Sequence, residues 1–352
     1  MPNYTLNPSD YLPARQEEPT PGIGIVGCGS IVRLAHLPAY QKYGFRVVAA
    51  ADISEEALKE VREKFGVPFT TTSVDELLAR EDVEVIDLAV HAKDRLPLVE
   101  KIADAGKPIL SQKPFAMSWD EAKHMVEYCE RKGVPLMINQ QARWAPAHRA
   151  VKLLIDRGLV GHVYSVLHVH RSFQDIPGSW YVKLPHFNLV DYGVHFIDLS
   201  RYFTGRTAKR VKATTAMMPG QVAVTPMIYT VNFEYEPEAQ LMTTLHFNNI
   251  VQVSGLRRYE WFIDGTEGSI MATHNEVALQ LKGERNVTYT FSIKGSWFPD
   301  AFAGSMGEMI RALKEGRQPE TSGRDNLDTI RMALAAVESS ESGRTVSLDE
   351  FA

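Results

Sequence analysis

The chain has 352 residues, 44% of them hydrophobic and 23% charged, with a formal net charge of −5 and a pI of about 6.1. That length exceeds one ordinary core and predicts two domains, and the mild acidity without a basic stripe argues against nucleic acid as a partner. Only two cysteines occur, Cys28 and Cys129, and no apolar run reaches membrane-spanning length, so free thiols in a cytoplasmic setting are expected and a membrane is not.

Residues 1–21 are polar, carry Pro2, Pro8, Pro13, Pro19 and Pro21, and lack the apolar middle of a signal peptide. They read as an extended arm, either flexible or laid on a neighbouring subunit. The β-branched run from Ile23 then meets Gly27-Cys28-Gly29, and a helical pattern follows. A first strand, a tight turn and a helix N-terminus look like this in a dinucleotide-binding unit. Gly27 would make the turn and Gly29 would admit a pyrophosphate to the backbone. The N–H groups near Ser30 and Ile31 would meet its charge at the positive end of the helix. Val32 stands where a third glycine or alanine is usual, so on its own the turn fits an ordinary strand–helix connection equally well.

The first helix is expected to run to about Tyr43, kinked or restarted at Pro38. A strand from Arg46 to Ala51 ends in Asp52, and Ser54 caps a helix closing at Gly66. A short strand covers Val67 to Thr70, and Ser73 with Glu76 forms a capping box. Val83 to Val90 is a buried parallel strand, a helix reaches Ala105, and Ile109 to Ser111 is the next strand. Ser118 and Glu121 cap a helix ending near Gly133, before a strand at 135–139. This strict alternation from residue 22 to about 140 predicts a doubly wound parallel sheet.

After a helix from Pro146 to Arg157 the pattern changes. Segments 163–171, 209–216, 227–235, 239–247, 261–264 and 287–293 are β-rich or alternate, and helices at about 301–314 and 326–342 close the chain. They predict a large, mainly antiparallel open sheet covered by helices on one face. The expected division is an arm at 1–21, a Rossmann domain at 22–142 and a substrate and oligomerisation α/β domain at 143–352.

Three places could carry chemistry. Asp52 lies 25 positions after Gly27, where an acid accepts hydrogen bonds from the adenosine ribose and repels a 2′-phosphate. Ile53-Ser54-Glu55-Glu56 offers no cation for that phosphate, so NAD is expected over NADP. Gln112-Lys113-Pro114 falls at the carboxyl end of the fifth strand, where an ammonium could stabilise a substrate alkoxide. Asp191 and His195, at i and i+4 of a helical pattern, share a face and suit proton transfer, although such pairs are more often structural. His168 and His170 alternate on a strand, where packing or a substrate contact is the expected use. His186, Asp191 and His195 carry no HExxH or Cys/His spacing, and no metal is expected.

The glycine turn, Gln112-Lys113-Pro114 and Asp191-x-Gly193-x-His195, in this order, resemble the glucose–fructose oxidoreductase/inositol dehydrogenase (Gfo/Idh/MocA) family from about residue 22 to the end. Ala105-Gly106-Lys107, Arg143-Trp144-x-Pro146 and Ser322-Gly323-Arg324-Asp325 belong to the same likeness. The resemblance implies a Rossmann domain, a C-terminal α/β domain whose open sheet builds a homodimer or homotetramer, and oxidation of a sugar or polyol hydroxyl with a nicotinamide cofactor. It implies Lys113, Asp191 and His195 as the catalytic set. The cofactor would be held by Gly27, Gly29, Ser30, Ile31, Asp52, His91, Gln112, Lys113, Arg143 and Trp144. Arg171, Trp180, His186 and Asn188 would join the catalytic residues around the substrate. Three departures stand out: Gln112 replaces the acid of Glu-Lys-Pro, Val90-His91-Ala92-Lys93-Asp94-Arg95 replaces Thr-Pro-Pro-x-x-His, and Pro185-His186-Phe187 replaces a glycine triplet. A small aldose such as the pentose apiose, oxidised at its anomeric carbon to a lactone, is the substrate expected first. A redox-neutral glycosidase or epimerase that recycles NAD, or a non-catalytic sugar sensor, would share these features; reduction of added NAD by substrate separates them.

Overall fold

A computed structural model describes residues 4–351 apart from Glu18 and Arg285. The six strands of the first half are β1 (Ile23–Val26), β2 (Val47–Ala51), β3 (Phe69–Thr71), β4 (Val85–Leu88), β5 (Ile109–Gln112) and β6 (Leu136–Asn139). All pair in parallel in the order β3-β2-β1-β4-β5-β6, so the chain reverses its direction of winding between β1 and β4. This is the Rossmann order. The expected caps form: Ser54, Ser73 and Ser118 hydroxyls accept the N–H of Ala57, Glu76 and Glu121 at 3.2–3.3 Å. Pro38 does not end the first helix. The chain takes a wide π turn over Val32–His36 and continues as α-helix over Leu37–Tyr43, with Pro38 in its first turn, where a missing N–H costs little.

The second half forms a nine-stranded sheet among the described residues. Its strands are β7 (Val163–Arg171), β8 (Arg210–Ala216), β9 (Ile228–Glu234), β10 (Met242–Asn248), β11 (Arg258–Gly265), β12 (Gly268–Ala272), β13 (Glu276–Leu281), β14 (Tyr289–Ser292) and β15 (Val346–Ser347). Their order is β14-β13-β12-β11-β7-β10-β9-β8-β15, and every pair is antiparallel except β10 with β7. The pleat sorts residues into two faces. One cross-sheet row, Leu279-Ile270-Ile263-Val166-Thr243-Phe233-Val211-Val346, is buried from end to end. The neighbouring row Ala278-Met271-Phe262-Leu167-Thr244-Asn232 points to the other face and is only half-buried.

The chain forms two compact units. One contains the parallel sheet, residues 12–145, together with 296–327; the other contains residues 1–11, 146–295 and 328–352. In the parallel-sheet unit the helix Asp300–Glu315 approaches so closely that a Cβ on Gly304 would lie 2.6 Å from Cβ of Trp144. Lys42 binds Asp300 at 2.5 Å in the same contact. The N-terminal arm does not stand free. In one unit Tyr4 stacks on Tyr289 at 4.2 Å, Asp10 pairs with Arg157 at 3.3 Å and the Lys294 N–H donates to the Tyr11 hydroxyl. In the other, Gln16 N–H donates to the Tyr43 carbonyl. Met1–Asn3 and Glu18 of the arm lie outside the described residues.

The buried face of the nine-stranded sheet holds an aromatic and imidazole core. His168 stacks on Trp261 at 4.1 Å and on Phe196 at 4.7 Å, and His170 stacks on Phe247 at 5.0 Å. The His168 Nδ1–H donates to the Glu260 carbonyl, and Tyr192 Oη meets His170 Nε2 at 3.0 Å. Burial drives His168 well below the usual imidazole range and pulls His170 down to about 3, with His274 adding to the effect on the latter. Burial also lowers His274, which stacks on Tyr259 at 3.6 Å. His168 and His170 are neutral in the folded chain, whereas the unfolded chain protonates them near pH 6.5. Between about pH 6.5 and the folded values the unfolded state binds more protons, so stability falls as pH falls, by about 1.4 kcal/mol per pH unit for each fully shifted group. The midpoint of thermal unfolding should therefore drop as pH is lowered from 6.5 to 5. Substituting His170→Phe should flatten that dependence, and an unchanged slope would remove His170 from the account.

Candidate active site

The glycine turn closes β1 at the point where strand order reverses. Gly27 has φ +92°, and a Cβ there would lie 2.9 Å from the Ala89 carbonyl oxygen, just past β4. No other residue fits both the backbone and the gap. Gly29 differs: a Cβ on it would meet nothing within 4 Å, and both Gly29 and Ser30 are exposed. Cys28 between them is buried, and burial with the Asp52 charge pushes its thiol up to about 12, so it is an inert part of the packing.

Asp52 follows β2 and binds the turn from below. Its Oδ2 accepts the Cys28 N–H at 2.5 Å and its Oδ1 accepts the Ser54 N–H at 2.8 Å. Ile53 beside it is 95% exposed, and Arg33 on the first helix is paired with Glu60. A turn open to solvent at Gly29, an acid after β2 and a helix start at Ser30 fit a dinucleotide: the turn's N–H groups and helix end would hold its phosphates and Asp52 its ribose.

His91 and Lys113 follow the carboxyl ends of β4 and β5. His91 is exposed and opens the short 3₁₀ turn Ala92–Asp94. Lys113 precedes Pro114 through a cis peptide bond. Arg95, which is 1% exposed, ties the two loops together. Its guanidinium donates to the Val90 carbonyl at 2.7 Å, to the Phe115 carbonyl at 2.9 Å and to the Pro114 carbonyl. Gln112 is buried against the first helix: its Nε2 meets His36 Nε2 at 3.1 Å, and its Oε1 accepts the Lys113 N–H at 2.8 Å. His36 Nδ1 meets Asp87 Oδ2 at 2.6 Å, and the Tyr40 hydroxyl donates to the same oxygen at 2.7 Å.

Arg143 and Trp144 follow β6. Arg143 bonds Asp325 at 3.2 Å and reaches the Glu320 carbonyl, while Trp144 is buried against the helix Asp300–Glu315. Both hold segment 296–327 to the parallel-sheet unit. Just before them, Asn139 and Gln140 are buried with side-chain amides that have no hydrogen-bond partner among the described residues.

In the other unit, Asp191 lies in a π turn over Phe187–Tyr192, and His195 in the first turn of the α-helix Val194–Thr204. The two therefore do not share one continuous α-helical register, as the i, i+4 spacing suggested. Gly193 joins the segments because a Cβ there would lie 2.4 Å from the Asn188 carbonyl. His195 is 7% exposed and Asp191 half-buried. His186 opens the π turn with φ +57° and faces Glu341 at 3.5 Å. Trp180 is half-exposed, and Arg171 Nε donates to the Leu256 carbonyl. Asn188 serves the fold: its Nδ2 donates to the Pro226 carbonyl at 2.6 Å and its Oδ1 accepts from Asn249 at 2.8 Å.

The sequence reading missed His36, Tyr40, Asp87 and Arg95. Asp87 inside an apolar strand was the available signal, because a buried acid needs partners.

The reversed strand order, the open turn and its acid define a dinucleotide-binding protein. A family model described as an oxidoreductase family with an NAD-binding Rossmann fold matches residues 22–140, and one for the Gfo/Idh/MocA C-terminal domain matches residues 148–271. The chain belongs to the Gfo/Idh/MocA family and is an oxidoreductase. It is 29% identical to a D-apiose dehydrogenase of Paraburkholderia graminis, over 92% of this chain and 88% of that protein. It is 24% identical to an inositol 2-dehydrogenase of Rhizobium meliloti, over 92% of this chain and 98% of the relative. Its fold is similar to that of an oxidoreductase from Agrobacterium radiobacter solved with NAD+, L-tartaric acid and magnesium, with a TM-score of 0.84, 23% identity, and coverage of 94% of this chain and 99% of that one.

The two glycines have separable roles. Gly27→Ala should lower unfolding free energy by about 1–3 kcal/mol in urea denaturation. Gly29→Ala should leave stability within about 0.5 kcal/mol yet weaken NAD binding about tenfold in calorimetry, about 1.4 kcal/mol. Unaltered NAD affinity in the Gly29 variant would show that nothing docks on the turn.

Proposed function

We propose that the chain is a dehydrogenase that oxidises a hydroxyl of a sugar or polyol, with NAD as its cofactor. The observation that carries the reading is the exposed glycine turn held over Asp52 at the point where strand order reverses, with the Lys113 loop anchored after β5. NAD rather than NADP is favoured because Asp52 is followed by Ile53 and because Arg33 is paired with Glu60.

When bound, the nicotinamide ring supplies a hydride acceptor. Gly27, Gly29, Ser30, Ile31 and Asp52 are the proposed holders of its phosphates and ribose, with His91 and Gln112 beside them. Arg143 and Trp144 support the cofactor unit from beneath, through their packing on segment 296–327. Lys113 would hydrogen-bond the reacting hydroxyl and favour its alkoxide. His195 would take the hydroxyl proton, and Asp191 would orient it or hold a neighbouring hydroxyl. Arg171, Trp180 and His186 are proposed to line the substrate wall, with Asn188 fixing the π turn behind them. A small aldose oxidised at its anomeric carbon comes first, because relatives aligned over 92% of this chain include two D-apiose dehydrogenases.

The half-buried row Met271-Phe262-Leu167 suits the same face of a second copy, giving a homodimer or, by repetition, a homotetramer. Light scattering should report an oligomer, and Phe262→Asp should dissociate it; a monomeric parent would end this assignment.

A panel of aldoses, polyols and inositols read by NADH absorbance tests the activity. At least one should reduce NAD, and His195→Ala should slow turnover by about 10² or more with NAD binding retained. Tight NAD binding with no NADH from any member of the panel would overturn the dehydrogenase reading.

A further inference from the structure

Beneath the Lys113 loop lies a row of four buried polar side chains. Tyr40, His36 and Asp87 are essentially inaccessible and Gln112 nearly so. The hydrogen-bond directions along this row are determined by its far end. The Lys113 backbone N–H is a donor, so the Gln112 atom 2.8 Å from it must be the carbonyl oxygen. The amide nitrogen therefore faces His36 Nε2 at 3.1 Å. That nitrogen carries two hydrogens and no acceptor, which obliges His36 Nε2 to present its lone pair. The single imidazole proton is then on Nδ1, 2.6 Å from Asp87 Oδ2, where a carboxylate accepts it. Tyr40 donates to the same oxygen and completes its environment. Reversing the amide would set donor against donor at Lys113, so the three bonds from Asp87 Oδ2 to the Lys113 N–H admit one set of directions, with Asp87 Oδ1 left without a partner among the described residues.

We propose that Asp87 and His36 are positioning residues that act through Gln112 on the backbone of Lys113, and that the amide at position 112 fixes His36 as the neutral Nδ1–H tautomer. The orientation passes from a buried carboxylate to an imidazole, then to an amide whose remaining acceptor holds the Lys113 N–H. Arg95 holds the next carbonyls, of Pro114 and Phe115, from the other side. The lysine backbone is thus fixed between two buried anchors, and its ammonium needs only its own rotamers to reach a ligand. The catalytic consequence rests on the dehydrogenase reading of Lys113; the tautomer does not.

The test has two arms. In the intact protein with 15N-labelled histidine, long-range 15N–1H spectra should show His36, assigned by loss of its signals in His36→Phe, with a proton on Nδ1 and none on Nε2. Substituting Gln112→Glu offers Nε2 an acceptor in place of a donor, and the same nitrogen should then gain a proton. A proton on Nε2 in the parent would overturn the proposal. In the second arm, Gln112→Met and His36→Phe should lower kcat about tenfold or more through misplacement of Lys113, and in His36→Phe, which alters no proposed cofactor contact, KM for NAD should change by less than about threefold. Gln112→Glu should recover most of the rate, because it can still accept the Lys113 N–H. Tyr40→Phe, which removes a bond from Asp87 but leaves the path from Asp87 through His36 and Gln112 to Lys113, controls for lost stability. If kcat in the four variants merely follows their melting temperatures, the row is structural and the positioning role falls. If no member of the aldose, polyol and inositol panel lets the parent reduce NAD, the dehydrogenase reading falls instead, and the spectra still decide the tautomer.

Discussion

The parallel-sheet unit depends on the close approach of Gly27 to the end of β4. Its left-handed backbone and missing side chain let the turn lie against the Ala89 carbonyl, at the one place where the strands change their direction of winding. Any Cβ would separate β1 from the β4 loop and shift the loops that follow both strands. Asp52 secures the other flank by accepting the Cys28 N–H, while on the β4 side the Ala89 N–H donates to the Val26 carbonyl, so the turn is held from both neighbouring strands. The same compression leaves Gly29 outward and uncovered, and the structural constraint thereby opens the candidate binding surface.

Precision after β4 and β5 comes from buried polar groups rather than from apolar packing. Arg95 brings a full charge into the interior, which is tolerable only because three backbone carbonyls receive its N–H groups. Those carbonyls belong to the ends of two loops, so the cation serves as a cross-link between β4 and β5. Gln112 does comparable work from the strand side through His36 and Asp87. A buried network of this kind rigidifies because the bonds it makes admit one orientation of its amide and its ring, even though Asp87 Oδ1 has no partner among the described residues.

Much of this frame was legible in the sequence because it follows from periodicity and local chemistry. Alternating apolar strands and capped helices gave the parallel sheet, and Ser54, Ser73 and Ser118 cap as their spacing implies. The return of segment 296–327 to the parallel-sheet unit was not, since its cause is a tertiary fit between Gly304 and Trp144. β12 and β13 escaped notice because they are short, five and six residues, and the three-residue turn Thr273-His274-Asn275 between them carries no glycine or proline to mark it. The two π turns also escaped, at Val32–His36 and Phe187–Tyr192: an α-period reading carries no term for an inserted residue. One of them places His36 over Gln112 and the other places Asp191 ahead of His195, so the irregularities of the helices coincide with the candidate chemistry.

The helix that carries His195 shows how the second unit constrains that chemistry. Phe196, the next residue, stacks at 4.7 Å on His168 and lies 5.4 Å from His170. The seat of the helix is therefore made of two imidazoles that burial keeps uncharged. Protonating either would bury a charge in the aromatic seat of the helix, at the desolvation cost that lowers both rings. The alternation of His168 and His170 with Val169 along β7 is what turns both rings to this face, while Leu167 and Val169 face the open side. One strand thus supports the candidate base on one side and carries half-buried apolar residues on the other, and a shift of a single residue in its register would exchange them.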